Sequence, residues 1–212
     1  MNSEIKQILE GVKNGRITVE DALLKIKIQP FEDIGFAKVD LHRKARQGTG
    51  EVIYGAGKTV GQMLGIIETM LKNGQNTILI TRLPKEAAEE ISEKVQLQYY
   101  QDAKIGIIGE IPKPDGIGKI VVATGGTSDI PVAEEAALTA EVLGNEVVWL
   151  FDVGVAGLHR LLSHLDDIMG ASVIIAIAGM EGALASVIGG LADCPVIAVP
   201  TSVGYGASFN DI

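Results

Sequence analysis

The 212-residue chain reads as an α/β protein built on a parallel sheet. Three observations predict this. From Lys119 onward, four apolar runs (KIVVAT, EVVWLFD, SVIIAIA and PVIAVP) alternate with helical runs. These runs lack the in–out alternation of a half-exposed strand, as expected of strands buried on both faces. The composition is 47% apolar with 26 glycines and only 4% aromatic residues. Small aliphatic residues suit helices packed closely on a sheet, and the shortage of aromatics argues against a base-stacking RNA-binding sheet.

The elements follow in order. Residues 3–13 read as an amphipathic helix with Ile5, Ile8, Leu9 and Val12 on one face, ended by Asn14-Gly15. Thr18-x-x-Asp21 resembles a capping box that opens a second short helix through Lys25, and Pro30 closes the unit. So small a helical hairpin buries little, and it is expected to pack on another surface. Residues 34–39 and 51–54 read as strands, 59–72 as a helix stopped by Asn73-Gly74, and 77–81 as a strand. Residues 84–95 read as a helix with proline at its start, and 104–108 as a strand. The segment IPKPDGIG (111–118) reads as a linker, which gives expected domains of 1–117 and 118–212. Beyond it come the four regular strand–loop–helix units, with helices over 131–144, 158–167 and 183–191. A ligand site on such a sheet lies beyond the carboxyl ends of the strands, where all four glycine-rich loops fall.

Charge and cysteine content narrow the function. The net charge of −9 excludes general phosphate-backbone binding as the main task, while leaving a small anionic ligand open. One cysteine, Cys194, excludes an intrachain disulfide and fits a reducing compartment. The N-terminus lacks an apolar signal core, and the longest apolar stretch, 171–180, is too short to span a bilayer. The cytoplasm is the expected location, with neither nucleic acid nor membrane as partner.

Several loop residues carry candidate chemistry. Gly125, Gly126, Thr127, Ser128 and Asp129 join a strand to a helix opened by Pro131. Glycines admit a ligand close to the backbone, and a helix N-terminus favours an anion by roughly 0.3–1 kcal/mol. The same residues also suit a plain Ser/Asp helix cap. Asp152, His159 and Arg160 follow the second strand. They offer an acid or base and a phosphate grip, or simply a solvated first helical turn. Glu181, beside Gly179 and Met180, is placed as a general base, a metal ligand or a ribose contact, or as a favourable charge at a helix start. Thr201, Ser202 and Tyr205 offer hydroxyls after the fourth strand, to a ligand or to the turn itself. In the N-terminal half, His42-Arg43-Lys44-Ala45-Arg46 is the dense basic cluster, flanked by Lys38 and Lys58. Gly55-Ala56-Gly57-Lys58-Thr59 looks like the end of a phosphate-binding loop, but Val52 stands where G-x-x-x-x-G-K-[ST] needs glycine, so an ATPase reading is rejected. Cys194 reads as a structural apolar cysteine, and no Cys/His set has zinc spacing.

Taken together, GGTSDIPVAEEA, DVGVAGLHR, AGMEGALASVIGG and PVIAVPTSVGYGAS resemble the LarB family, whose C-terminal domain is similar to PurE, the aminoimidazole ribonucleotide carboxylase. The stretch DLHRKARQGTGEVIYGAGKT is also similar to LarB and has no PurE counterpart. The resemblance implies a flavodoxin-like, three-layer parallel-sheet domain preceded by a smaller α/β domain with a helical hairpin. It implies a carboxylase-hydrolase that converts nicotinic acid adenine dinucleotide and carbon dioxide or bicarbonate to pyridinium-3,5-biscarboxylic acid mononucleotide and AMP. That product is a precursor of the nickel-pincer nucleotide of lactate racemase. It further implies magnesium and a homo-oligomer, an octamer in PurE-like domains.

On this resemblance Gly125–Ser128 cradle a phosphate and Asp129 contacts ribose or a magnesium-bound water. His159 and Arg160 line the carboxylation site, and Glu181 is an acid, base or metal ligand. Arg43 and Lys58 reach a second phosphate or the nicotinate carboxylate. A pyridinium ring attacks carbon dioxide only after a nucleophile has added to it, a role suited to a thiolate. The family's cysteine for this step follows the PTSVGYGAS motif, so a chain ending at Ile212 is expected to carboxylate poorly. The PurE loop A-G-G-A-A-H-L-P-G carries a catalytic histidine, and here Ala183 takes its place. Two rivals stand beside this reading: a PurE-like carboxylase or mutase, and a non-catalytic nucleotide-binding module.

Overall fold

The computed structural model describes residues 3–28, 31–41, 43 and 48–202. The expectations at Pro30, His42, Lys44, Arg46 and Tyr205 lie outside these residues. By contact the chain forms two compact units: Met1–Gln98 with Gly106–Glu110, and Tyr99–Ile105 with Ile111–Ile212. Among the described residues no helix is long and apolar enough to cross a membrane.

The first unit opens with helices α1 (Ser3–Lys13) and α2 (Val19–Ile28), which pack on each other. The Thr18 hydroxyl accepts the Asp21 amide at 3.0 Å, the cap that the sequence predicts. Within this chain Leu9, Leu23 and Leu24 each stay more than half exposed. The strand expected at 34–39 is instead an antiparallel pair, β1 (Phe31–Asp33) and β2 (Lys38–Asp40). The cause is local: the Asp33 carboxylate accepts the Gly35 amide at 2.9 Å, and Gly35 takes a φ of 86°, which turns the chain back on itself.

There follow β3 (Val52–Tyr54), α3 (Val60–Lys72), β4 (Ile78–Thr81), α4 (Lys85–Ser92), β5 (Leu97–Tyr100) and β6 (Ile105–Ile108). The sheet order is β3-β4-β6-β5, with β3 parallel and β6 antiparallel to β4. The apolar face of α3 (Met63, Ile67, Met70) is buried, as are the side chains of Ile78, Ile80 and Ile107. Strand β5 escaped the sequence reading because Gln98 interrupts its short apolar signal.

The second unit contains β7 (Lys119–Thr124), α5 (Ile130–Val142), β8 (Glu146–Leu150), α6 (Leu158–Leu162), α7 (Leu165–Met169), β9 (Val173–Ala178), α8 (Ala183–Leu191) and β10 (Val196–Pro200). Short 3₁₀ turns, Thr127–Asp129 and Val155–Gly157, precede α5 and α6. All four strands are parallel, in the order β10-β9-β7-β8. Alternate residues serve opposite faces. Val121, Ala123, Ile174 and Ala176 join Leu161, Ile168, Leu184 and Ile188 of α6–α8. Val122 and Ile177 pack instead on Ala133 and Ala137 of α5. Helices therefore cover both faces, and this unit is a three-layer, flavodoxin-like α/β fold.

The single helix expected over 158–167 is two, because the Ser163 hydroxyl donates to the Arg160 carbonyl and His164 leaves helical geometry at φ −110°. Strand β10 is not buried on both faces: Ile197 is 52% exposed, since β10 is an outer strand in the sheet order.

Candidate functional site

In chain order within the second unit, the first and third strands, β7 and β9, are neighbours, while the second (β8) and fourth (β10) lie outside them. The chain therefore departs in opposite directions after β7 and β9. Their loops diverge and leave a crevice at the carboxyl ends of the strands. A cleft of about 210 Å³ lies there. Its walls come from Gly125, Gly126, Ser128 and Asp129 after β7, from Gly154–Ala156 and Arg160 after β8, and from Ala178–Glu181, Ala183 and Leu184 after β9.

The loops are stitched to one another by short hydrogen bonds. The Gly125 amide donates to the Ile177 carbonyl at 2.8 Å, so the glycine loop starts pinned to β9. The Gly126 amide donates to Asp129 Oδ2 at 3.0 Å, and Thr201 Oγ1 donates to Asp129 Oδ1 at 2.6 Å. Asp129 is 4% exposed, so both oxygens of a buried carboxylate are satisfied within the protein. Gly154 packs against this loop so tightly that a β-carbon there would stand 2.3 Å from the Gly125 carbonyl oxygen.

Thr124, fully buried at the end of β7, organises the second loop. Its carbonyl accepts the Val153 amide at 2.9 Å, and its hydroxyl accepts the Asp152 amide at 2.9 Å. Asp152 is held at a φ of 57°, a left-handed conformation that, glycine aside, mainly asparagine and aspartate adopt with local hydrogen-bond support. In that pose its carboxylate pairs with the Arg160 guanidinium. Arg160 is the cationic residue among those lining the cleft, which the carboxylate-bearing Asp129 and Glu181 also line. Apolar groups of Val155, Ala156, Ala178, Met180, Ala183 and Leu184 complete the wall.

The structure brings together much of the predicted set. Gly125, Gly126, Ser128, Asp129, Arg160, Gly179, Met180 and Glu181 line one cleft. Met180 holds a φ of 56° and is 42% exposed at the cleft. Thr127, Asp152, His159, Thr201 and Ser202 are not among the lining residues. Thr127, His159 and Ser202 are exposed, and Asp152 and Thr201 act on lining residues rather than forming the wall. Cys194 packs against the core just before β10, at the end of the sheet opposite the cleft. Thr124, Gly154 and Ala183 were not singled out as site residues by the sequence. Gly154 had a signal, a glycine in a loop at a strand's carboxyl end.

In the first unit, Arg43 and Lys58 are held apart. Arg43 lies 3.7 Å from Glu51, before β3, and its buried Nε has no hydrogen-bond partner among the described residues. Lys58 donates to the Tyr54 carbonyl at 2.8 Å, at the far end of β3. The GAGKT loop meets internal needs. Gly55 donates to the Thr81 carbonyl at 2.7 Å, Gly57 takes a φ of 76°, and Thr59 with Gln62 forms a capping box on α3.

A magnesium ion fits this cleft in a limited way. Asp129 is already fully hydrogen-bonded, and Glu181 is the exposed carboxylate. No group of three His, Cys, Asp or Glu side chains converges among the described residues. One carboxylate together with ligand phosphates is an ordinary donor set for magnesium.

Comparison with known proteins agrees with the geometry. Residues 31–110 match the family described as LarB/PurE-like N-terminal domain, and 119–211 match the family described as AIR carboxylase. An uncharacterized protein of Methanocaldococcus jannaschii is 39% identical over 228 aligned residues, covering 100% of this chain and 86% of that protein. With a LarB-type N-terminal domain ahead of a PurE-like parallel-sheet domain, and with its cleft at the expected crevice, the chain belongs to the LarB/PurE-like carboxylase family.

Proposed function

We propose that the protein carboxylates the pyridinium ring of nicotinic acid adenine dinucleotide and hydrolyses its phosphoanhydride. The products are pyridinium-3,5-biscarboxylic acid mononucleotide and AMP, and the first of these feeds the nickel-pincer nucleotide of lactate racemase. The observation that carries the reading is the cleft itself: one guanidinium, Arg160, set between glycine loops and an apolar wall. The guanidinium suits a phosphate or a ring carboxylate, and the apolar wall suits a flat heteroaromatic ring. In this reading Ser128 and the glycine loop hold a phosphate, and Glu181 accepts the proton that the newly carboxylated ring carbon loses as the added nucleophile is expelled and the ring regains aromaticity. The magnesium ion would rest on the ligand's phosphates and Glu181, where it would neutralise charge during phosphoanhydride cleavage. The nucleophile that first adds to the ring is not Cys194, which lies at the opposite end of the sheet. We place the protein in the cytoplasm as a homo-oligomer, an octamer by analogy with PurE-like domains.

The AIR carboxylase match supports a second reading, a PurE-like carboxylase or mutase. Against it, Ala183 lines the cleft where that family's loop carries its histidine, so a methyl group replaces the proton carrier. Incubation of a chain extended through the family's cysteine segment with nicotinic acid adenine dinucleotide, magnesium and labelled bicarbonate, followed by mass spectrometry, decides between them. A labelled dicarboxylated mononucleotide plus AMP is the expected result. An intact dinucleotide, together with turnover of carboxyaminoimidazole ribonucleotide, would transfer the assignment to the PurE-like reaction.

A further inference from the structure

Thr201 stands 72 positions after Asp129 in sequence, yet its hydroxyl donates to Asp129 Oδ1 at 2.6 Å. Its own amide donates to the Ala178 carbonyl at 3.2 Å, at the end of β9. Thr201 is 8% exposed and does not line the cleft, so it is built into the floor rather than offered to a ligand. Asp129 does line the cleft, and its other oxygen accepts the Gly126 amide at 3.0 Å. A carboxylate rotates freely about its last bond unless both oxygens are engaged. With Oδ1 held by Thr201, Oδ2 is aimed at Gly126, and the glycine loop takes one shape.

We infer that Thr201 is a positioning residue, acting through Asp129 to fix the Gly126 backbone at the mouth of the cleft. The fourth loop thereby sets the geometry of the first without touching the ligand. The mechanical part of this inference needs no knowledge of the ligand. The part concerning affinity rests on the function proposed above.

The test compares wild type with Thr201→Val, which keeps the shape and loses the hydroxyl, and Thr201→Ser, which keeps the hydroxyl. Amide hydrogen exchange is read residue by residue. Exchange at Gly126 is expected to accelerate about tenfold in Thr201→Val, the size of one lost hydrogen bond. The amides of β7 and β9 keep their wild-type rates, and Thr201→Ser restores Gly126. Asp129→Asn weakens the same link from its other end and should reproduce the local acceleration, which covers a valine variant that does not fold. Unchanged Gly126 exchange in a folded variant, or acceleration spread over the whole sheet, overturns the inference. Titration with nicotinic acid adenine dinucleotide is run alongside, with about tenfold weaker binding expected in Thr201→Val and recovery in Thr201→Ser. Equal affinity in wild type and Thr201→Val overturns the affinity part. A wild type that binds no dinucleotide overturns the proposed function instead, and the exchange data then decide the positioning role alone.

Discussion

One hydroxyl, that of Thr124, holds Asp152 in a left-handed pose and so keeps its carboxylate on Arg160. Thr124→Val preserves shape but leaves the Asp152 amide without its acceptor. It should lower unfolding free energy in denaturant titrations by about 1–3 kcal/mol. A loss under half a kilocalorie would show that the loop does not depend on this bond. Such a role was not legible in sequence, since a threonine at a strand end reads as an ordinary β-former. Asp129 and Arg160 were legible, because charged residues just beyond buried strands have few places to go but the crevice. His159 was read together with Arg160, but successive helical residues point about 100° apart. Only one of the two faces the cleft, and it is Arg160.

Among elements, the loops after β7 and β8 depend on mutual contact. Gly154 has φ −59° and ψ 151°, values any residue adopts, so any cost of replacing it is steric rather than torsional. Gly154→Ala sets a methyl 2.3 Å from a carbonyl whose own residue is tied to β9. A loss of about 1–3 kcal/mol is expected, measured as a fall in thermal midpoint. An unaltered midpoint would mean that the two loops separate at little cost. The strands and helices of this unit were readable because buried parallel strands give unbroken apolar runs between glycine-marked turns. The break between α6 and α7 was not, since it depends on one serine hydroxyl choosing a backbone acceptor. The β1–β2 turn was missed for a similar reason, an aspartate bonding to a glycine two residues on.

For the molecule as a whole, two carboxyls give stability opposite pH dependences. A hydrogen bond from Lys119, with its charge and that of His164, holds Asp167 below the usual carboxylate range despite some desolvation. Its stabilisation is present above the unfolded value and lost as pH falls through the lowered folded one. Glu134 is pushed up, first by burial and then by the Asp102 carboxylate. Its contribution is present below the ordinary glutamate range and lost as pH rises through the raised value. Thermal midpoints across pH should therefore show Asp167→Asn losing most near neutrality and converging with wild type in acid. Glu134→Gln should gain near neutrality and lose that gain in acid. Parallel shifts at every pH would mean that packing, not ionisation, is what these residues contribute. The family was legible from the four loop motifs in order, whereas the sharing of the cleft among three loops required the sheet order. That same order leaves β10 outermost, and Pro195 and Pro200 bracket it. The Pro195 carbonyl accepts the Ile174 amide, so Pro195 faces β9, whereas Pro200, of opposite phase, turns its nitrogen outward and offers a strand arriving from another molecule no donor at that end of the edge. An apolar outer strand so equipped resists open-ended fibrous association even when the protein is crowded.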